Sequence, residues 1–457
     1  MKRRAKALVL ALFLVLYVGP LFLPLTSVQE ARRAEIVQEV VKFGHWLIPH
    51  LNGRPYVVKP PLYTWLAGIV ASVLGVSEAT LRLSSLLAAA GILFLTYKLA
   101  RKLGGPLCAF LAVFFLLGAP RFYFFAHRVE LELLVAFFFE AYLYLSWRYL
   151  EEGGKWRLLG AFGALGGGFL TKGPFILLAL PPIVLYGLYH RRRRLFTLLL
   201  HPLGWLLALT PSAAWYLYVH RHLPPSAFSE FIQEDFFGRL ITGKRDPFYH
   251  YARALFLGFL PESLLLLRLP SFLRIQFSRE DRQFVLFSWL TPLVFLSFTA
   301  AKFSKYLLSF YPFFALSLAL AAGEWFGDQE ELLRHLTLGI SLLLLCGSLL
   351  VEIRGNALRF ESLARARPYI SAPRVYFYRK ANYWLVFYRG TPIKVLQGPP
   401  FPPGLILEET YPGVSALAQR KDLRLVAQIV PFYREGRALL VYSSAGAPSA
   451  SSSGSGK

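Results

Sequence analysis

The chain has 457 residues, of which 55% are hydrophobic and only 17% are charged. Because soluble domains average about 25% charged residues, this composition argues against a soluble protein and predicts a mostly α, polytopic membrane protein. The formal net charge of +24 does not indicate a nucleic-acid partner, since the basic residues lie in short loops between apolar runs and not on one soluble domain.

The apolar runs have the length that crosses a hydrocarbon core of about 30 Å, roughly 15–22 residues. They predict about 11 transmembrane helices, within a range of about 11–13, at 7–26, 80–100, 105–120, 131–148, 155–170, 173–190, 195–218, 249–267, 281–299, 305–322 and 331–352. A shorter run at 62–76 is interpreted as re-entrant or interfacial, because every dense basic cluster then falls on the cytoplasmic side. In this topology the outer loops are long and the inner loops are mostly brief, so any chemistry is expected on the outer face.

The first external loop, residues 27–79, begins with a predicted amphipathic helix at 29–46 that lies on the membrane. Glu30 is a candidate catalytic residue of this helix, although a solvated face with local ion pairs is the alternative. Later in the loop, Pro60 and Pro61 keep Lys59 out of a regular helix. We expect this rigid segment to present Lys59 to a phosphate at head-group depth.

Charged residues also interrupt the later spans. Glu130 and Glu132 enter the fourth span, where carboxylates normally need partners, so they are functional candidates; a structural ion pair with a neighbouring His or Arg is the alternative. Lys172, Lys302 and Lys305 fall on the face that the positive-inside tendency leaves poor in cations. Snorkelling explains single lysines, but several together predict a bound anion such as a lipid-linked phosphate.

The C-terminal part of the chain differs in character from residues 1–352, the predicted transmembrane domain. Alternating apolar and polar residues such as those at 374–396 predict short strands of a small extracytoplasmic α/β domain at 353–445. The Ser-rich and Gly-rich residues 446–457 are predicted to be a disordered tail. The two cysteines are isolated and indicate neither a disulfide framework nor a thiolate metal site.

Four motifs in order carry a family resemblance: EARRAEIVQEVVKFGHWLIPHLNGRPYVVKPPLYTWL (30–66), FLTKGP (169–174), DPFYHYARALFLGFLP (246–261) and KYLLSFYPFFAL (305–316). This pattern resembles the bacterial GT-C type membrane glycosyltransferases that use polyprenyl-phosphate sugars. The family includes lipid A aminoarabinose transferases and belongs to the protein O-mannosyltransferase-like superfamily. The resemblance covers about residues 27–325.

The resemblance implies an inverting enzyme of the bacterial inner membrane, with its active site on the periplasmic face. The expected partners are a polyprenyl-phosphate sugar donor, a lipid acceptor such as lipid A, and membrane lipids. A non-catalytic binder or transporter of the donor, and a protein O-glycosyltransferase, are the alternatives.

The resemblance and the residue patterns together give three groups of candidate site residues. They are Glu30, Glu130 and Glu132 for catalysis, Arg32, Lys59, Lys172, Lys302 and Lys305 for the donor phosphate, and Gln29, Arg33, His50, Tyr56 and Tyr63 for the substrate loop. Gln29 and Val58 depart from the family pattern, which has acidic residues there. No firmly bound metal is therefore expected, and a requirement for Mg²⁺ or Mn²⁺ is left open.

Overall fold

The computed structural model describes residues 13–224, 246–300, 302–411, 413–430, 432 and 437–444. Part of the first predicted span, part of the outer loop at 219–248 and the predicted tail at 446–457 lie outside the described residues.

The described chain is dominated by α-helices. They are α1 Val28–Phe43, α2 Leu62–Leu74, α3 Glu78–Gly118, α4 Pro120–Ala126, α5 Glu132–Glu152, α6 Lys155–Lys172, α7 Leu180–Tyr189, α8 Arg194–Leu200, α9 Pro202–His222, α10 His250–Gly258, α11 Leu269–Phe277, α12 Glu280–Ser297, α13 Tyr311–Phe326, α14 Glu330–Ile370 and α15 Tyr383–Arg389. Short 3₁₀ helices at Gly19–Phe22, Gly173–Ala179, Glu262–Arg268, Ser304–Ser309 and Gly327–Gln329 join several of them.

Five helical stretches among the described residues are long and apolar enough to cross a membrane: Glu78–Gly118, Glu132–Glu152, Lys155–Tyr189, Arg194–His222 and Tyr311–Ile370. Phe13–Phe22 and Leu62–Leu74 are shorter apolar helices. The predicted mostly α, multi-pass membrane protein is confirmed, whereas the count of about 11 spans stays a prediction.

Helix α3 corresponds to two predicted spans and is interrupted between them. Gly105 has φ 77° and ψ −168°, outside the helical region, and Pro106 follows it. Glycine tolerates a positive φ because it has no Cβ, and proline has no N–H to continue the helical ladder. The chain therefore changes direction at the point where the sequence predicted a break between spans.

The chain divides into two compact units. The first contains residues 1–22, 46–49 and 55–349, and the second contains residues 23–45, 50–54 and 350–457. The first unit includes α2–α13, in which α5 packs on α6 and α13 packs on α3. In its interior, the Thr96 hydroxyl of α3 donates a hydrogen bond of 2.8 Å to Glu140 Oε1 of α5. Glu140 therefore forms the interhelical contact that is expected of a carboxyl buried among helices.

The second unit contains a five-stranded sheet formed by β3 Val375–Tyr378, β4 Val395–Leu396, β5 Leu405–Thr410, β6 Leu423–Ile429 and β7 Ala438–Ser444. Two shorter strands, β1 His50–Leu51 and β2 Arg54–Pro55, precede them in the chain. The strand order is β4-β3-β5-β7-β6. The pairs β3–β4 and β3–β5 are parallel, and β7 is antiparallel to β5 and β6. The predicted small C-terminal sheet domain is confirmed.

One segment of this domain has a different secondary structure from the predicted strands. Residues 383–389 form helix α15 because Asn382 caps its N-terminus, accepting a hydrogen bond from the Leu385 N–H at 3.1 Å, and Gly390 ends it with φ 81°. Helix α1 packs against α15 within the second unit.

Candidate active site

Two carboxylates and two lysines of the first unit form a buried ionic cluster. Lys305 Nζ lies 2.8 Å from Glu132 Oε1 and 3.4 Å from Glu130 Oε2, and Lys172 Nζ lies 3.4 Å from Glu132 Oε1. Glu130 and Glu132 are only 5% and 3% exposed. Burial of charges is costly unless they are paired, so the pairing with lysines explains how the two carboxylates stay inside the protein.

Glu130 lies in a short turn between α4 and α5 that hydrogen bonds hold in position. The Ser85 hydroxyl of α3 donates to the carbonyl oxygens of Arg128 at 2.6 Å and of Glu130 at 3.1 Å. The Tyr63 hydroxyl of α2 lies 2.9 Å from Ser85 Oγ. Tyr63, predicted as a substrate-loop residue, is therefore connected to the Glu130 turn through Ser85, which the sequence analysis did not single out.

His127 and Arg128, which precede Glu130 in the chain, contact groups other than Glu130 and Glu132. His127 Nε2 lies 2.8 Å from the Tyr17 carbonyl oxygen, and burial lowers the pKa of His127 to about 3. The Arg128 guanidinium lies 5.5 Å from the ring centroid of Phe124 and 5.7 Å from that of Phe125. Among the described residues, Lys172 and Lys305 are basic residues that contact the two carboxylates.

The two lysines of the cluster have different surroundings. Lys172 Nζ lies 4.4 Å from the ring centroid of Phe175 and 4.5 Å from that of Tyr306, so two rings stabilise its charge. Lys305 is partly open, with 27% of its side chain exposed. Burial lowers the pKa of Lys305, but the nearby charges of Glu132 and Glu130 outweigh it, and the pKa is raised. Lys305 is therefore a stable cation that solvent can reach.

Lys302 is close to the cluster in sequence but is held by other groups. Its Nζ donates to the carbonyl oxygens of Asp246 at 3.0 Å and Thr299 at 2.7 Å. Its backbone N–H donates to Asp246 Oδ2 at 3.1 Å. These bonds fix the segment that follows α12, and the phosphate-binding role of Lys302 stays a prediction.

The proline-fixed segment around Lys59 is anchored to the helices of the first unit. The Tyr56 N–H donates to the Pro49 carbonyl oxygen at 2.7 Å, and the Trp65 indole N–H donates to the Trp46 carbonyl oxygen at 2.6 Å. Pro60 and Pro61 are buried, Lys59 is half-buried, and α2 begins directly after Pro61. The segment is therefore rigid, as its prolines predicted.

Glu30 belongs to the second unit and is fully buried in the first turn of α1. Its Oε2 accepts hydrogen bonds from Thr26 N at 2.6 Å and Thr26 Oγ1 at 2.8 Å. Its own N–H donates to Ser27 Oγ at 3.0 Å. Glu30 thus stabilises the start of the helix, where a negative charge is favoured by the helix dipole, while Gln29 is exposed.

Two further glutamates of α1 bind the turn that follows it in the second unit. Glu35 Oε1 accepts a hydrogen bond of 2.8 Å from Asn52 N, and Glu39 Oε1 accepts one of 2.7 Å from Gly53 N. Asn52 and Gly53 have φ values of 53° and 73°, which an Asn-Gly turn tolerates. Burial, followed by the neighbouring Glu39, raises the pKa of Glu35 to about 10. Glu35 is therefore protonated at neutral pH.

The remaining predicted loop residues of the second unit are less closely grouped. The Arg32 guanidinium lies 5.6 Å from the ring centroid of Tyr383, and the His50 ring lies 3.8 Å from that of His45. Arg33 is half-buried on α1. Among the residues that the structure describes, no group of three or more His, Cys, Asp or Glu side chains is arranged to hold a metal ion.

Comparison with known proteins gives the context of this site. Residues 58–218 match the family model described as dolichyl-phosphate-mannose-protein mannosyltransferase. The chain is 29% identical over 382 residues to an undecaprenyl phosphate-alpha-4-amino-4-deoxy-L-arabinose arabinosyl transferase of Pseudomonas savastanoi pv. phaseolicola, an alignment that covers 79% of this chain and 65% of the relative. It is 31% identical over 350 residues to the protein of the same name from Pectobacterium carotovorum, which covers 73% of this chain and 61% of the relative.

The crystal structure of ArnT from Cupriavidus metallidurans bound to undecaprenyl phosphate matches this chain with a TM-score of 0.82 at 18% identity, covering 98% of this chain and 100% of that one. The chain has the fold of this ArnT structure. The predicted resemblance to GT-C type glycosyltransferases that use lipid-linked sugars is thereby confirmed. The chain spans 61–65% of the length of the two curated relatives described above.

Proposed function

We propose that this GT-C chain is a membrane glycosyltransferase that moves a sugar from a polyprenyl-phosphate donor to an extracytoplasmic acceptor. The observation that carries the proposal is the buried cluster of Glu130, Glu132, Lys172 and Lys305, because it combines carboxylates with fixed cations. Transfer to an alcohol or phosphate acceptor requires a base at the attacking oxygen and a positive charge near the departing phosphate. The names of the curated relatives, which are arabinosyl transferases, support the same reaction class.

The two carboxylates of the cluster receive different roles in this proposal. Glu132 contacts both Lys172 and Lys305, so its carboxylate holds the two ammonium groups. Glu130 contacts Lys305 at the longer distance of 3.4 Å. We therefore assign Glu130 as the general base and Glu132 as the anchor that positions the two ammonium groups.

The proposed reaction is a single displacement with inversion. Glu130 accepts the proton of the acceptor oxygen as this oxygen forms a bond to the anomeric carbon. The bond between the anomeric carbon and the donor phosphate oxygen breaks, and its electron pair leaves on polyprenyl phosphate. Lys305, partly exposed and positively charged, stabilises the phosphate that departs, and Lys59 is a second candidate for this role.

We favour a lipid acceptor such as lipid A and an active site on the periplasmic face of the bacterial inner membrane. The relatives' names give undecaprenyl phosphate-linked aminoarabinose as their donor, which supports a polyprenyl-linked sugar as the donor here. The roles predicted for Glu30, Arg32, Lys59 and the substrate-loop residues remain part of the proposal.

The test is a mass-spectrometric comparison of envelope glycolipids from cells that do and do not produce the protein. A sugar-mass addition to lipid A or another lipid only in producing cells would support the proposal. The same addition on proteins would favour a protein O-glycosyltransferase. Binding of polyprenyl-phosphate sugar by the purified protein without any product, in a host shown to make that sugar donor, would favour the non-catalytic binder.

A further inference from the structure

A charged cavity of the first unit, separate from the carboxylate–lysine cluster, is lined by basic, aromatic and small or apolar residues. It has a volume of about 500 Å³ and lies between α4 and α10. Its basic lining residues are Arg121 of α4, Arg128 just after α4, and His250 and Arg253 of α10. Cavities of roughly 300–1,000 Å³ are typical of small-molecule sites.

The described lining of this cavity carries positive charge. Among the residues that the structure describes, no carboxylate lines the cavity. The Nε–H groups of Arg121 and Arg128 are buried and have no hydrogen-bond partner. A buried donor without a partner is unfavourable, so these groups are suited to an anion that enters from outside the protein.

The contacts of the cavity residues orient the cations without neutralising them. Arg128 lies over the rings of Phe124 and Phe125, which fixes the plane of its guanidinium. His250 Nε2 lies 3.0 Å from Ser304 Oγ, which holds the start of α10 against the segment that carries Lys305. Arg253 is exposed, so the cavity is open to a ligand at that side.

The cavity is close in the chain to the carboxylate–lysine cluster but is distinct from it. Arg128 precedes Glu130 by two residues, and Ser304, the partner of His250, directly precedes Lys305. Neither glutamate and neither lysine of the cluster lines the cavity. A ligand could therefore place one anionic group among the arginines while a second group reaches the cluster.

We propose that Arg121, Arg128, Arg253 and His250 form an oxyanion-binding pocket for a phosphate-bearing head group. Guanidinium groups bind phosphate with paired, charge-assisted hydrogen bonds, and three of them around one cavity fit a doubly charged phosphate. This head group belongs either to the polyprenyl-phosphate carrier or to a phosphorylated lipid acceptor.

The experiment measures lipid binding by the full-length purified protein in nanodiscs. The probes are a short-chain polyprenyl phosphate, a diacylglycerol phosphate, and the corresponding uncharged polyprenol and diacylglycerol. The variants are Arg121→Gln, Arg253→Gln and the double variant. The matched control is Arg274→Gln, which removes the same charge from an exposed position on α11.

The double variant should bind at least one phosphate-bearing probe about tenfold or more weakly and the uncharged probes equally well. Arg274→Gln should bind every probe as the unmodified protein does. Weaker binding of polyprenyl phosphate alone would assign the pocket to the donor carrier, and weaker binding of diacylglycerol phosphate would assign it to an acceptor. Unchanged binding of both phosphate probes by a folded double variant would overturn the proposal.

Two features keep this test independent of the proposed transfer reaction. The readout is binding, so a protein without transferase activity can still support or contradict the pocket. Because Arg253 is exposed, Arg253→Gln should fold normally, and Arg253→Lys, which keeps the charge, should recover part of the phosphate affinity. If Arg253→Lys and Arg253→Gln lose phosphate-probe binding equally, the geometry of the guanidinium group is required. If neither of these variants nor the double variant loses phosphate-probe binding, the pocket is contradicted.

Discussion

The carboxylate–lysine cluster contains the residues on which the proposed chemistry depends. Glu132 contacts two lysines and Glu130 contacts one of them at a longer distance. The two glutamates therefore differ in their contacts with the lysines, although they are only two residues apart. This difference leads to separate predictions for the two positions.

We expect Glu130→Gln to lower the rate of sugar transfer by roughly 10²–10⁴-fold, the usual contribution of a general base. Donor binding should change little, because the amide keeps the shape of the side chain. The measurement is the turnover of purified protein at saturating donor. Glu324→Gln is the matched control, since Glu324 is exposed and paired only at the surface with Arg282. Equal rates in both variants would refute the assignment of Glu130.

Glu132→Gln should lower both transfer and stability. It removes the carboxylate that holds Lys172 and Lys305, and breaking a buried ion pair costs about 3–5 kcal/mol. Thermal unfolding of Glu132→Gln beside Glu324→Gln tests this expectation. An unchanged melting temperature would show that the lysines have sufficient other partners.

Glu35 gives a prediction about pH. Its pKa is raised to about 10 in the folded protein, whereas it is about 4.3 in an unfolded chain. At a pH between these two pKa values, Glu35 is ionised in the unfolded chain and protonated in the folded protein, so folding takes up a proton. The stability that Glu35 contributes is therefore complete below the unfolded pKa and is lost as the pH rises toward 10. Melting temperatures at pH 6 and pH 9 should differ less for Glu35→Gln than for the unmodified protein. An equal difference in the two proteins would contradict the raised pKa.

The sequence was sufficient to select Glu130, Glu132, Lys172 and Lys305, because charged residues in apolar runs need partners. It could not show which of them pair, since Lys305 and Glu130 are 175 residues apart. Ser85, Glu35 and Glu39 were not selected as site residues. Each lies in a helix, and its role depends on hydrogen bonds to a turn elsewhere in the chain, which the sequence pattern does not show.

At the scale of elements, the turn that carries Glu130 depends on hydrogen bonds from α3. Ser85 Oγ bonds two carbonyl oxygens of this turn and the Tyr63 hydroxyl. Ser85→Ala removes these hydrogen bonds, and a lost hydrogen bond of this kind costs about 0.5–1.5 kcal/mol.

We expect Ser85→Ala to lower the melting temperature and to slow transfer, because Glu130 is no longer held in position. Ser297→Ala is the control, since the Ser297 hydroxyl bonds only the Leu293 carbonyl oxygen within its own helix. Transfer kinetics and thermal unfolding of both variants test this. A Ser85→Ala protein with the kinetics of Ser297→Ala would show that the turn is positioned by other contacts.

The elements were predicted unevenly. Run length predicted the spans, and the predicted gap between the runs 80–100 and 105–120 lies next to the non-helical Gly105 of α3. Helix α1 was predicted to lie on the membrane, but its glutamates Glu30, Glu35 and Glu39 are buried as completely as Ala34. Helical periodicity identifies a polar face but does not show whether that face is exposed to water or forms hydrogen bonds with another segment, as Glu35 and Glu39 do with the Asn52–Gly53 turn.

At the scale of the whole molecule, the fold is shared with ArnT over 98% of the chain, although the chain spans 61–65% of the length of two curated relatives. The composition and the ordered motifs were sufficient to predict this fold class. The number of spans and the boundary between units depend on long-range packing, which the sequence does not display.

The most direct test of the proposed activity follows a labelled sugar through the purified protein in liposomes. The donor is a polyprenyl-phosphate sugar labelled in the sugar, and the acceptor is a lipid A preparation; donors with different sugars are tried in turn. We predict that the label moves into the acceptor lipid with the unmodified protein and with Glu324→Gln, and that it stays on the donor with the double variant Glu130→Gln, Glu132→Gln. Label transfer at an undiminished rate by a folded double variant would contradict the role of the cluster, and no transfer of any sugar by the unmodified protein would contradict the proposed glycosyltransferase with this acceptor.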